Sequence, residues 1–145
     1  VDEIDKKLLM LLQQNARMTI SDLSQAIALS RPSISERLLR LQEKGIIEEY
    51  TARISLPKVG REIMLIIQVS ALKVSLQEFE QCVQNEEDII ECHRVTGEVS
   101  YFLKAAVADM TRMRELIDKL IPYGTINTST VIGSPVSHRY ILPTN

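Results

Sequence analysis

The 145-residue sequence predicts an α+β protein, with three N-terminal helices in helix-turn-helix order and then a βαββαβ, ferredoxin-like unit. Three observations predict it. Apolar residues recur at helical spacing from Ile4 to Leu41. Two short amphipathic helices then alternate with apolar strand-like runs from Ile63 onward. Capping and turn residues stand at the joints between these segments.

The first helix is expected over Asp5 to Asn15, because Ile4, Leu8, Leu11 and Leu12 share one helical face. The second starts at Thr19, whose hydroxyl can accept from the Asp22 N–H while Asp22 reaches back. Leu23 and Ile27 form its inner face, and it stops near Ala28-Leu29. Ser30 is a good N-cap for the third helix, and Pro32 is tolerated in a first turn. That helix runs to Lys44, with Gly45 as its stop and Ile34, Leu38 and Leu41 as its buried face. Ile46 to Ser55 is expected as a strand, and Pro57 and Gly60 break the chain after it. The expected domains are therefore residues 1–50, a strand and hinge over 51–60, and a second domain over 61–145.

In the second half, strands are expected over Ile63 to Leu72, Ile89 to Val95, Tyr101 to Val107 and Thr125 to Val136. Ser75 to Asn85 is a helix with Leu76, Phe79 and Val83 inward, and Asp109 caps another carrying Met110, Met113, Leu116, Ile117 and Leu120. In this order both helices cover one sheet face. Ile63, Leu65, Ile67 and Val69 alternate with Met64 and Ile66, so the first strand is apolar on both faces. Such a sheet expects a second copy against its open face.

Composition narrows the function classes. A net charge of −2 is weak for a nucleic-acid binder, but its distribution is uneven. Arg17 to Lys44 holds five basic residues against three acidic, whereas Arg61 onward holds eight against eleven. No apolar run approaches a membrane span, and Asp2, Glu3 and Asp5 are unlike a signal peptide, so a cytoplasmic protein is expected. Cys82 and Cys92 fit cytosolic thiols better than a disulfide, and no close Cys/His cluster suggests a metal. The two histidines, His93 and His138, lack catalytic partners, and no phosphate loop or nucleophile motif occurs. No enzyme and no cofactor are expected.

The third helix carries the strongest functional signal. With Ile34 at zero and 100° per residue, Leu38 and Leu41 fall inward, while Pro32, Ser33, Glu36, Arg40 and Glu43 fall outward with Arg37 at the edge. Arginine can bond guanine or a phosphate, and glutamate can accept from cytosine N4. Ser30, Arg31 and the free N–H groups of the first turn suit a phosphate. An ordinary amphipathic helix would show the same charges, but the helix before it at turn spacing favours double-stranded DNA. The DNA-binding candidates are Ser30, Arg31, Pro32, Ser33, Glu36, Arg37 and Arg40.

Ile4-Asp5, Leu8-Leu9, Asn15-Ala16-Arg17, Leu23-Ser24, Leu29-Ser30, Glu36 to Leu41, Gly45-Ile46-Ile47 and Tyr50-Thr51 form one ordered set of matches. Glu91 to Gly97, Tyr101 to Lys104 and Val107 to Met110 continue it. Together the sequence resembles the leucine-responsive/asparagine-operon (Lrp/AsnC, feast/famine) family of prokaryotic transcription regulators, over nearly its whole length. The resemblance implies a winged helix-turn-helix with its motif at residues 20–39, joined to a βαββαβ effector domain of the RAM/ACT-like kind. It also implies dimers assembling to octamers, amino-acid effectors bound between dimers, and a nucleoid-associated protein that reads palindromic sites. An architectural protein that wraps or bends DNA with little sequence preference and no effector is the alternative.

Two residues depart from the family pattern. Ala28 stands where the family usually has glycine, at a cost of roughly 1 kcal/mol if that residue is left-handed. Gly97-Glu98-Val99-Ser100-Tyr101 carries Ser100 where the family often has an aspartate. A serine hydroxyl cannot supply the charge that would hold an ammonium. The effector differs, Glu98 substitutes, or no small effector binds. By family position the effector candidates are Thr96, Gly97, Glu98, Ser100, Tyr101, Thr130, Val131 and Ile132.

Overall fold

The computed structural model describes residues 1–144. The chain divides into two compact units, Val1–Arg53 with Val136–Asn145, and Ile54–Pro135. The division falls inside the expected strand and hinge over residues 51–60, and the last residues join the first unit rather than the second. Asn145, which the expected second domain included, lies outside the described residues.

The first unit is built on α1 (Glu3–Gln14), α2 (Ile20–Ile27) and α3 (Arg31–Glu43). Each begins on a side-chain cap. The Asp2 carboxylate accepts from the Asp5 N–H and Asp5 returns the bond, so α1 starts earlier than expected. Thr19 and Asp22 make the expected reciprocal pair, at 3.0 Å in both directions. Ser30 accepts from the Ser33 N–H, with Pro32 in the first turn of α3. Leu8, Leu12, Leu23, Ile34 and Leu38 meet in one core, against which Ile47 packs. Burial of each such side chain contributes about 1.5–3 kcal/mol.

Two chain reversals in this unit use the left-handed region. Gly45 ends α3 with φ 70, as expected. Ala28 ends α2 at φ 61, ψ 47, where a Cβ is strained. The turn is tied down on both sides. The Ser24 carbonyl accepts from the N–H groups of Ala28 and Leu29, and the Ser24 hydroxyl donates to the Leu29 carbonyl.

The expected strand over Ile46 to Ser55 is absent, and a 3₁₀ turn at Pro57–Val59 follows. Its β-branched residues have strand propensity, but a strand needs a neighbour to bond, and these residues find no ladder among the described residues. The tail after Val136 is held to the first unit by side chains. The Gln13 amide donates to the Ile141 carbonyl at 2.7 Å and accepts from its N–H at 2.9 Å. Arg53 donates to the Ser137 hydroxyl at 2.9 Å.

The second unit has the expected order: β1 (Ile63–Ser70), α4 (Leu76–Gln84), β2 (Ile89–Arg94), β3 (Val99–Val107), α5 (Met110–Leu120) and β4 (Thr125–Thr130). The sheet is antiparallel in the order β2-β3-β1-β4. Its last strand stops at Thr130, short of the expected Val136: the Val131 N–H still donates to the Met64 carbonyl, but β1 ends one residue further at Ile63, and Gly133 and Pro135 follow. Leu65, Ile67, Val69, Tyr101, Leu103, Ala105 and Val107 pack under Phe79 and Val83 of α4 and Leu116 and Leu120 of α5. Both helices therefore lie on one face. The other face carries Met64, Ile66, Gln68, Phe102 and Lys104. Gly124 enters β4 so close to β1 that a Cβ would meet the Ser70 carbonyl at 2.6 Å.

Candidate nucleic-acid interface and effector loop

α3 turns Ile34, Leu38 and Leu41 into the core and leaves Ser30, Arg31, Pro32, Glu36 and Arg40 exposed, with Ser33 half-buried. The side chains at its start interact with their neighbours. Arg31 donates to the Ser21 hydroxyl at 3.2 Å, and the Ser30 hydroxyl donates to that of Ser33 at 3.0 Å. Among the described residues Glu36 and Arg40 make no ion pair or side-chain hydrogen bond, so both are free to meet a ligand. At the far end of α3, Gln42 donates to the Tyr50 hydroxyl at 2.8 Å, fastening the following segment to the helix.

Arg37 is placed differently from its six companions. Its guanidinium donates to both oxygens of Asp2, at 2.7 and 2.9 Å, and to Asp5 at 3.0 Å. Only 20% of its side chain is exposed. The Arg37 hydrogen bonds, with the Asp5 N–H, hold the Asp2 carboxyl down at about 2. Arg37 thus binds α3 to the capped start of α1, a partnership across 35 residues that helical geometry on α3 alone did not reveal. The missed residue on the outward face is Leu39, which is 54% exposed.

In the second unit, the β2–β3 turn holds Thr96, Gly97 and Glu98 exposed. Gly97 has φ 107, a conformation that needs glycine, and the Ser100 carbonyl accepts from the Val95 N–H at 3.0 Å. Ser100 sits at a β-bulge: Val69 faces Tyr101 while Ser70 faces Val99, which leaves Ser100 unpaired with β1. Tyr101 is not in the turn's surface at all. Strand alternation points it inward, where it is 1% exposed, stacks 4.6 Å from Phe79 and donates to Glu80 at 2.8 Å. Burial, and then Glu80, push its hydroxyl up to about 12.

Thr130, Val131 and Ile132 do not join the turn. Thr130 pairs with Leu65, at one end of β1, whereas the turn leads into Val99 opposite Ser70, at the other end. Five strand steps separate them, about 17 Å. Within one chain the two groups of effector candidates occupy opposite ends of the sheet. Cys82 and Cys92 are both free thiols, and among the described residues no group of acidic, histidine or cysteine side chains could hold a metal. No described helix is long and apolar enough to cross a membrane.

A helix-turn-helix with an unpaired arginine and glutamate on its outer face, followed by a βαββαβ unit, defines a DNA-binding regulator with an attached sensing or assembly domain. Comparison with known proteins gives the family. Residues 1–48 match the winged helix-turn-helix DNA-binding model, and residues 64–141 match the Lrp/AsnC ligand-binding domain. The chain belongs to the Lrp/AsnC family of transcription regulators. It is 30% identical to an HTH-type transcriptional regulator, YezC, of Bacillus subtilis, over 95% of this chain and 98% of that one. It is 34% identical to the leucine-responsive regulatory protein of Haemophilus influenzae, over 81% of this chain and 72% of that one. Among solved structures, B. subtilis LrpC superimposes with a TM-score of 0.91 at 26% identity, covering 95% of this chain and 99% of LrpC. A transcriptional regulator from Neisseria meningitidis in complex with L-Met superimposes at 0.89 with 30% identity, covering 99% and 96%.

Proposed function

We propose that this regulator recognises roughly palindromic operators as a dimer, with α3 of each chain in successive major grooves. The observation that carries the reading is the outward face of α3, where Arg40 and Glu36 are exposed and uncommitted. Arg40 contributes two donors for guanine, and Glu36 an acceptor for cytosine N4. Ser30, Arg31, Pro32 and Ser33 bring the N-terminal end of α3 against a phosphate. Arg37 acts as a positioning residue, since its guanidinium is engaged by Asp2 and Asp5.

Self-association proceeds through the open sheet face, where Met64, Ile66 and Phe102 lack intrachain cover by the helices, and dimers assemble further to octamers. The protein works on the nucleoid in the cytoplasm and needs no cofactor or catalysis. An amino acid serves as effector, supported by the ligand-binding family match and by the L-Met complex of the neisserial relative. Its pocket combines Thr96 to Ser100 of one chain with Thr130 to Ile132 of another, because one chain keeps them apart.

Arg40→Ala tests the DNA reading. Affinity for an operator is expected to fall by about 1–3 kcal/mol, with a much smaller loss on random DNA. An equal loss on both moves Arg40 to a phosphate contact and favours the architectural alternative. No loss on either removes Arg40 from the interface.

A further inference from the structure

We infer that Leu39 reads a thymine methyl group in the major groove, beside the base pair read by Arg40. The inference rests on the DNA-reading role of α3 and adds a specificity-determining residue to it. Leu39 is the only large apolar side chain in α1, α2 or α3 that is left exposed, at 54%. Every other leucine, isoleucine and methionine in these helices is buried or half-buried. On α3 it lies 140° from Ile34, on the outward side between Ser35 and Pro32, both exposed. Its neighbours on that surface are the exposed Glu36, Arg40 and Glu43.

Helix formation does not account for a leucine there. Lysine, arginine, glutamine and glutamate serve a helix about as well and remain solvated. Nor does the setting resemble a protein interface, which removes about 800 Å² per partner and keeps charge out of its centre. A lone leucine ringed by charges instead suits a small apolar target among polar ones. The major groove presents one such target, the C5 methyl of thymine. Leucine has no donor or acceptor, so the methyl is the base feature it can distinguish. Leu39 is about 1.5 Å from Arg40 along the helix axis, so both address the same or adjacent base pairs.

The test uses the full-length protein and a duplex selected by it from a random pool. Each thymine is replaced in turn by deoxyuridine, which removes the methyl and keeps every hydrogen-bonding group. One thymine per half-site is expected to lose about fourfold in affinity, the worth of burying one methyl-sized group. For Leu39→Ala that loss is expected to vanish, and selection with this variant is expected to yield no thymine preference there. The inference is overturned if every deoxyuridine duplex binds like its parent, or if the deoxyuridine loss is the same in Leu39→Ala. A change in the sedimenting size of Leu39→Ala would reassign the leucine to a contact between chains. A pool that yields no enriched sequence would overturn the sequence-reading role of α3, a separate outcome recognisable before any thymine is replaced.

Discussion

Ala28→Gly is expected to stabilise the helix-turn-helix. Ala28 holds φ 61, ψ 47, and an L-residue there carries about 1–2 kcal/mol of strain from its Cβ. Glycine removes the strain. Its greater freedom in the unfolded chain takes back about 0.5–1 kcal/mol. The methyl group is exposed, so deleting it loses little buried surface. The Ser24 carbonyl and hydroxyl still hold the turn through backbone groups that glycine retains. The net gain is about 0.5–1 kcal/mol. Urea unfolding followed by helical circular dichroism measures it, as a higher midpoint with an unchanged slope. Ala28→Val should move the midpoint the other way, since a β-branched side chain is worse at positive φ. A glycine variant less stable than the parent would refute the strain argument, because then the alanine must be supplying something other than its backbone geometry.

Three further outcomes are expected. The Asp2–Arg37 pair should make stability fall with acid: the Asp2 pKa is lowered from 3.8 to about 2 in the fold, so its contribution is present above pH 4 and is lost as pH drops through about 2. In thermal melts across that window, the gap between the parent and Arg37→Gln should close as pH falls, and a constant gap would remove Asp2 as the cause. Phe102→Glu on the open sheet face should shrink the sedimenting species at micromolar concentration; an unchanged size would place self-association elsewhere. Calorimetric titration with common amino acids should show weak binding by the parent and tighter binding by Ser100→Asp, because a carboxylate holds an ammonium better than a hydroxyl. Tight parental binding that survives both Ser100→Asp and Glu98→Gln would sink that reasoning.

Local chemistry was legible in the sequence. The Thr19–Asp22 cap, the Ser30 cap, Pro32 and the Gly45 stop are each decided by residues within a turn of one another. The alternation along β1 likewise separated Leu65, Ile67 and Val69, which the helices cover, from Met64 and Ile66 on the other face. What escaped depends on partners distant in the chain. The Arg37 ion pairs were not legible on α3 alone, because the two acids lie 35 and 32 residues earlier. The Asp2 cap was readable, since an acid three residues on repeats the Thr19 pattern, but the apolar period drew the helix start to Asp5. Ile46 to Ser55 has strand composition without a ladder among the described residues. Family position alone makes Tyr101 an effector candidate, whereas the period of two along β3 turns it into the core.

The separation of Thr96–Ser100 from Thr130–Ile132 along the sheet has a thermodynamic consequence. A pocket that draws one wall from each of two chains exists only in the assembled state, so effector and assembly are linked. Whatever factor the amino acid adds to the association constant, association adds to the affinity for the amino acid. With the proposed pocket, dilution would act as an antagonist: at low copy number the regulator would be less sensitive to its effector without any change in sequence. In the proposed two-chain pocket, cellular abundance of the protein would set the effector concentration at which it responds.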